Sequence, residues 1–126
     1  MDVVNIKADL QLIEKFVLET SNQRGTANTW LQLSAGKVYI RKAFHQLGVQ
    51  RELNKTLDIA NICIDEDKRG KGYFTELLDA IYRIACKYNM SLYIENVLDQ
   101  RFQSFFLKKG FMPAYHDLCF YKFFKL

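Results

Sequence analysis

The segment 56–89 constrains the fold most, because a strand period gives way to a helical one across a single basic, glycine-rich loop. From Thr56 to Ile64 the apolar residues alternate, with Leu57 and Ile59 at odd positions but Ile62 and Ile64 at even ones. Successive side chains of a strand point to opposite faces, so a change of parity predicts one extra residue near Ala60-Asn61. That residue would make a β-bulge. From Tyr73 to about Asn89 the period becomes helical, and Phe74, Leu77, Leu78, Ile81, Ile84, Ala85 and Tyr88 form one stripe.

The rest of the chain supplies partners for this unit. Asp9 is placed to cap a helix running to Thr20, with Leu10, Ile13, Phe16 and Val17 on one face. Trp30–Leu33 and Val38–Phe44 read as strands joined by a turn at Ser34-Ala35-Gly36-Lys37, and residues 48–55 as a polar connection. Ser91–Val97 reads as a further strand. Asp99 then caps a short helix carrying Phe102, Phe105 and Phe106, which Gly110 stops, and Leu118–Phe124 is a last strand. The order αββ followed by βαβαβ predicts an α+β fold, a mixed sheet flanked by helices, in one domain over 1–126.

Composition narrows the function. A chain of 126 residues buries a core without metals or disulfides. Cys63, Cys86 and Cys119 are widely spaced, and His45 and His116 stand apart from them, so neither a metal site nor a disulfide framework is expected. Free thiols fit a reducing compartment. The start, MDVVNIKADL, has no basic and apolar leader pattern, and no run of eighteen apolar residues occurs. The expectation is a cytoplasmic protein with no membrane partner. Net charge is +4, yet no basic run reaches five residues, which weakens a nucleic-acid reading without removing it.

The loop itself is suited to phosphates. Gly70 and Gly72 let the backbone approach an anion, the following helix offers the positive end of its dipole, and Lys68, Arg69 and Lys71 add charge. Gly70-Lys71-Gly72 lacks the Gly-Lys-Ser/Thr of a Walker A loop. A dinucleotide fingerprint needs a third glycine where Thr75 stands, and too few residues follow Glu95 to complete such a sheet.

With its bulged strand, Arg69-Gly70-Lys71-Gly72-Tyr73-Phe74 and the later Phe106-Leu-Lys-Lys-Gly110-Phe111, the stretch from about 56 to 112 resembles the GNAT acetyltransferase superfamily. Phe74 departs from the small residue that ends the family's loop signature. The resemblance implies acetyl-coenzyme A as acyl donor, held by Arg69, Gly70, Lys71, Gly72, Tyr73 and Phe74. It also implies that the pantetheine arm lies between two splayed strands, against backbone groups of Ile62 and Ile64 and near Phe106. The acceptor would be an amine of a protein or small molecule, attacking the thioester directly.

Such an attack needs a base. Asp58, on the bulged strand, is the first candidate, and Glu95, on the neighbouring strand, is the second. The acid that protonates the departing thiolate is often a tyrosine where this chain has Phe106, which cannot donate, so Tyr115 or Tyr121 would have to serve. Two other readings stay open: a catalytically silent module that binds acyl-coenzyme A or a partner, and an enzyme modifying nucleic acid. A monomer and a homodimer are equally compatible with the sequence.

Overall fold

The computed structural model describes residues 4–115 and 118–126, so His116 lies outside the described residues. Helix α1 is Ile6–Thr20 and buries Ile13, Phe16 and Val17. Its cap is Asn5, whose side-chain oxygen accepts from the Ala8 N–H at 3.0 Å. Asp9, expected in that role, sits one turn inside the helix and is buried, its carboxylate committed to other donors.

Strands β1 (Ala27–Leu33), β2 (Gly36–Leu47) and β3 (Glu52–Ile64) form an antiparallel meander. The polar connection expected over 48–55 shrinks to a tight turn closed by Arg51 N–H to Gly48 O. Residues 52–55 are solvated yet pair with 44–47 of β2, so main-chain hydrogen bonds rather than apolar alternation carry this end of the hairpin. Next come α2 (Tyr73–Lys87), β4 (Ser91–Ile94), α3 (Gln100–Lys108), β5 (Met112–Pro113) and β6 (Phe120–Lys122). The strand expected to reach Val97 ends at Ile94, and β5 has no counterpart in the sequence pattern. Asp99 does cap α3, accepting from Arg101 N–H at 2.7 Å.

The sheet order is β1-β2-β3-β4-β6-β5, with β3 and β4 parallel and every other pair antiparallel. The fold is thus α+β with a mixed, mostly antiparallel sheet. The bulge lies where the parity change put it. Tyr39 faces Asn61 and Ile40 faces Ile59, so Ala60 is the extra residue. Before it Leu57 and Ile59 point to the helix side, and after it Ile62 and Ile64 do.

Register organises both faces of the sheet. Ile40, Ile59, Ile94 and Phe120 form one row across four strands and join the main core with residues of all three helices. One step along, Arg41, Asp58, Tyr93 and Tyr121 form a row on the opposite face. There the apolar cluster is small: Leu47, Tyr93 and Tyr121, with Ala114 and Cys119 against it. Among the described residues, no helix is long and apolar enough to cross a membrane.

Candidate functional site

The parallel pairing of β3 with β4 stops at Ile59 and Ile94, with Glu95 N–H to Ile59 O at 3.1 Å as the next bond. Beyond it β3 runs on to Ile64 while the other chain turns away through Asn96, whose φ is +58°. A strand parted from its neighbour leaves backbone groups without ladder partners. The gap is a cavity of about 260 Å³ lined by residues 59–62, Phe74, Glu95, Asn96, Phe102 and Phe106. On β3 the Ile64 carbonyl turns away from β2 and accepts from Arg69 Nε at 2.8 Å. Alternate residues of a strand share an edge, so the backbone groups of Ile62 face the gap as well.

Phe74 also borders a second cavity of about 220 Å³, lined by Ile64, Lys68, Arg69, Gly70, Gly72, Tyr73, Phe74 and Thr75. Gly70 and Gly72 have φ of +74° and +81°, and a Cβ built on either would meet no atom within 4 Å. The left-handed backbone explains the choice of glycine, and the space in front of both is open. Gly72 caps α2 without a side-chain hydrogen bond, leaving the N–H groups of the first turn as donors at the positive end of the helix. The cations shape the loop: Arg69 holds Ile64 O, Lys71 holds Asp67 O, and Lys68 holds Ser34 O and Asp65.

Behind the gap, on the opposite face, lies a compact polar cluster. Asp58 has no exposed surface. Its Oδ1 accepts from Thr56 Oγ1 at 2.6 Å, and its Oδ2 lies 2.7 Å from His45 Nε2 and 3.7 Å from Arg41 Nη1. The same Arg41 nitrogen is 2.7 Å from Glu95 Oε1, so one guanidinium joins the two carboxylates. The His45 ring stacks on Tyr93, with centroids 3.8 Å apart and planes 8° from parallel. Burial, and after it a hydrogen bond to Cys119, push the Tyr93 hydroxyl above its ordinary range. His45, Asp58 and Glu95 bring donor atoms within 4.8 Å of one another, but Arg41 already supplies the cation between the carboxylates.

No family model matches the sequence, and no curated protein matches it. Solved structures do match. A tyrosine-to-phenylalanine mutant of the toxin AtaT, bound to the C-terminus of the antitoxin AtaR, aligns with a TM-score of 0.57 at 15% identity, over 70% of this chain and 57% of that one. The same mutant with AtaR and acetyl-coenzyme A aligns with a TM-score of 0.52 over the same shares. A complex of KacTA with DNA gives 0.57 at 12% identity over 89% and 79%. A tetramutant of the BH1408 protein from Bacillus halodurans gives 0.51 at 18% over 96% and 90%. The chain has the GNAT fold. It spans 57% of the AtaT chain and 61% of the KacT chain.

Within this GNAT fold the expected site residues divide into those that line the cavities and those that do not. Ile62, Ile64, Arg69, Gly70, Gly72, Phe74, Glu95 and Phe106 line one cavity or the other. Lys71 braces the loop from outside. Tyr73 offers the cradle its backbone only, because its side chain is buried with the hydroxyl on Asp9. Phe74 borders both cavities and packs against Phe102, Phe105 and Phe106, with centroids 5.2, 5.8 and 6.3 Å away. Asp58 lines neither cavity, and its oxygens are occupied. Tyr121 is buried with its hydroxyl on Met112 Sδ, and Tyr115 stands 70% exposed. Neither borders the gap. Of the polar cluster, sequence reasoning singled out Asp58 and Glu95 but not Arg41, His45 or Tyr93, since nothing in their own sequence neighbourhoods marks them.

Proposed function

We propose that this chain is an acetyl-coenzyme A-dependent acyltransferase acting on an amine. One observation carries the reading: the gap between β3 and β4 adjoins, across Phe74, a cavity at a helix N-terminus that has no side-chain cap and is fronted by two left-handed glycines. A thioester on a long arm ending in a pyrophosphate has that shape and charge. AtaT, solved with acetyl-coenzyme A, shows that a neighbour of this fold holds such a donor. The N–H groups of Gly70 to Thr75 would take the pyrophosphate, and backbone groups of Ile62 would take the arm. Donors aimed at the thioester oxygen would stabilise the oxyanion as it forms. Glu95 is the carboxylate at the gap, placed to attract an amine. Acetyl-coenzyme A stands as substrate, with no resident cofactor.

Titration calorimetry with acetyl-coenzyme A, and thiol release on adding primary amines, test this. Saturable binding with amine-dependent release supports the enzyme. Binding with no release across an amine panel leaves the silent module, and no binding refutes the donor assignment.

A further inference from the structure

Among the described residues β1 forms one edge of the sheet and β5 the other, and the two edges are built differently. A free edge offers unpaired N–H and C=O groups to any other strand, so exposed edges are ordinarily short, charged, bulged or interrupted by proline. Strand β5 fits that rule with two residues, one of them Pro113. Strand β1 breaks it. Its seven residues, Ala27-Asn28-Thr29-Trp30-Leu31-Gln32-Leu33, include no charge and no proline, and its pairing with β2 runs without a register shift. We propose that this edge pairs with β1 of a second copy of the chain, antiparallel about Trp30, to make one continuous sheet across a two-fold dimer.

The main-chain groups are in phase for this pairing. The hairpin closes on Leu33 and Gly36 across a two-residue turn, so residues 27, 29, 31 and 33 exchange hydrogen bonds with β2. Residues 28, 30 and 32 therefore turn their N–H and C=O groups to the outer edge. There the Trp30 carbonyl accepts from the hydroxyl of Thr29 at 3.2 Å. With Trp30 on the two-fold axis, Trp30 faces its own copy and Asn28 faces Gln32, so every outward group meets an outward group.

The side chains match in the same register, and this selects a second copy over a foreign strand. On the face away from the helices, the amide of Asn28 meets that of Gln32, and Trp30, 49% exposed in one chain, meets itself. On the helix side Thr29 lies opposite Leu31 and Ala27 opposite Leu33. No like charges oppose one another. Leu12 of α1, 41% exposed, overlooks this side and lines a groove of about 370 Å³ with Phe16, Thr29 and Leu31, which the second copy closes. Lys15 and Glu19, 4.0 Å apart, stand in the same groove and give it a charged rim around an apolar and aromatic centre. Trp30 is set in place beforehand, stacked on Tyr39 with centroids 5.1 Å apart and with Lys37 Nζ 5.0 Å from its ring. A side chain already held loses little freedom on association.

Analytical ultracentrifugation of the full chain over a dilution series should show twice the chain mass giving way to one. Trp30 is the only tryptophan, so its emission should move to the red over the same range. Residue-resolved hydrogen exchange identifies the surface. The amides of residues 28, 30 and 32 should be protected in the dimer and exchange freely on dilution, while those of 29 and 31 stay protected throughout. Trp30→Lys sets two cations face to face on the axis and should weaken the dimer at least about tenfold. Asn28→Pro removes an outward N–H and leaves the β2 ladder whole, so it should also weaken the dimer while circular dichroism matches the parent. It carries the test if the lysine variant does not fold. A chain that is monomeric at every concentration overturns the proposal. So does a dimer whose amides at 28, 30 and 32 exchange freely, or one that a folded variant leaves as tight as the parent.

Discussion

The hydroxyl of Tyr73 donates to the buried carboxylate of Asp9 across 2.7 Å, tying the first turn of α2 to that of α1. Asp9 also accepts from the N–H of Ser34 at 2.7 Å and its hydroxyl at 2.6 Å, so the turn between β1 and β2 is held by the same group. The first turn of α2 is the proposed anion cradle, and this lock holds it against the body of the fold.

Tyr73→Phe should therefore cost about 2 kcal/mol, the contribution of a hydrogen bond to a charged partner. Urea unfolding should show a lower midpoint with an unchanged slope. Burial, and then Asp9, raise the Tyr73 hydroxyl above its ordinary range. A group raised on folding stabilises fully below its unfolded value, about 10, and that contribution is lost as pH climbs through the raised folded value. The parent should lose stability above about pH 10 more steeply than Tyr73→Phe does.

Gly72→Glu places a side chain and a negative charge where a pyrophosphate would meet the α2 N-terminus, on a backbone with φ of +81°. Calorimetry should show acetyl-coenzyme A affinity falling by at least about 2 kcal/mol, roughly thirtyfold. Circular dichroism should show the fold retained, since the position is open. Equal affinity in parent and variant would move the pyrophosphate elsewhere.

Phe106 is fully buried among Phe102, Phe105, Phe111 and Phe120. Phe106→Tyr should lower stability by about 1–3 kcal/mol if the new hydroxyl finds no partner. Turnover should stay within about twofold, because a thiolate is a good enough leaving group to depart without a dedicated acid. A gain of tenfold or more would show that the chain lacks an acid.

Cys63, Cys86 and Cys119 are free thiols, and none lines the gap between β3 and β4. Replacing all three with Ser should leave acetyl-coenzyme A affinity unchanged within about twofold. Mass spectrometry of the parent after incubation with acetyl-coenzyme A should find no acyl adduct on any of them. An adduct that also transfers to amine would replace direct attack by a covalent route.

Local pattern was enough for the parts of this fold that are local. The parity change between Ile59 and Ile62 is a property of one strand, so the bulge at Ala60 could be read from it. The glycines at 70 and 72 and the stripe of α2 are likewise contained in one stretch of chain. Asp9 misled because its residue type suits a cap, while its real partners, Ser34 and Tyr73, lie 25 and 64 residues away. The polar cluster was hidden for the same reason. Arg41, Asp58 and Tyr93 become neighbours only through the register of two strand pairings, one antiparallel and one parallel. His45 reaches Asp58, thirteen positions along the chain, across the hairpin. Side-chain type and period determine which face a residue takes, but register decides what stands beside it, and register is settled by the packing of the whole sheet.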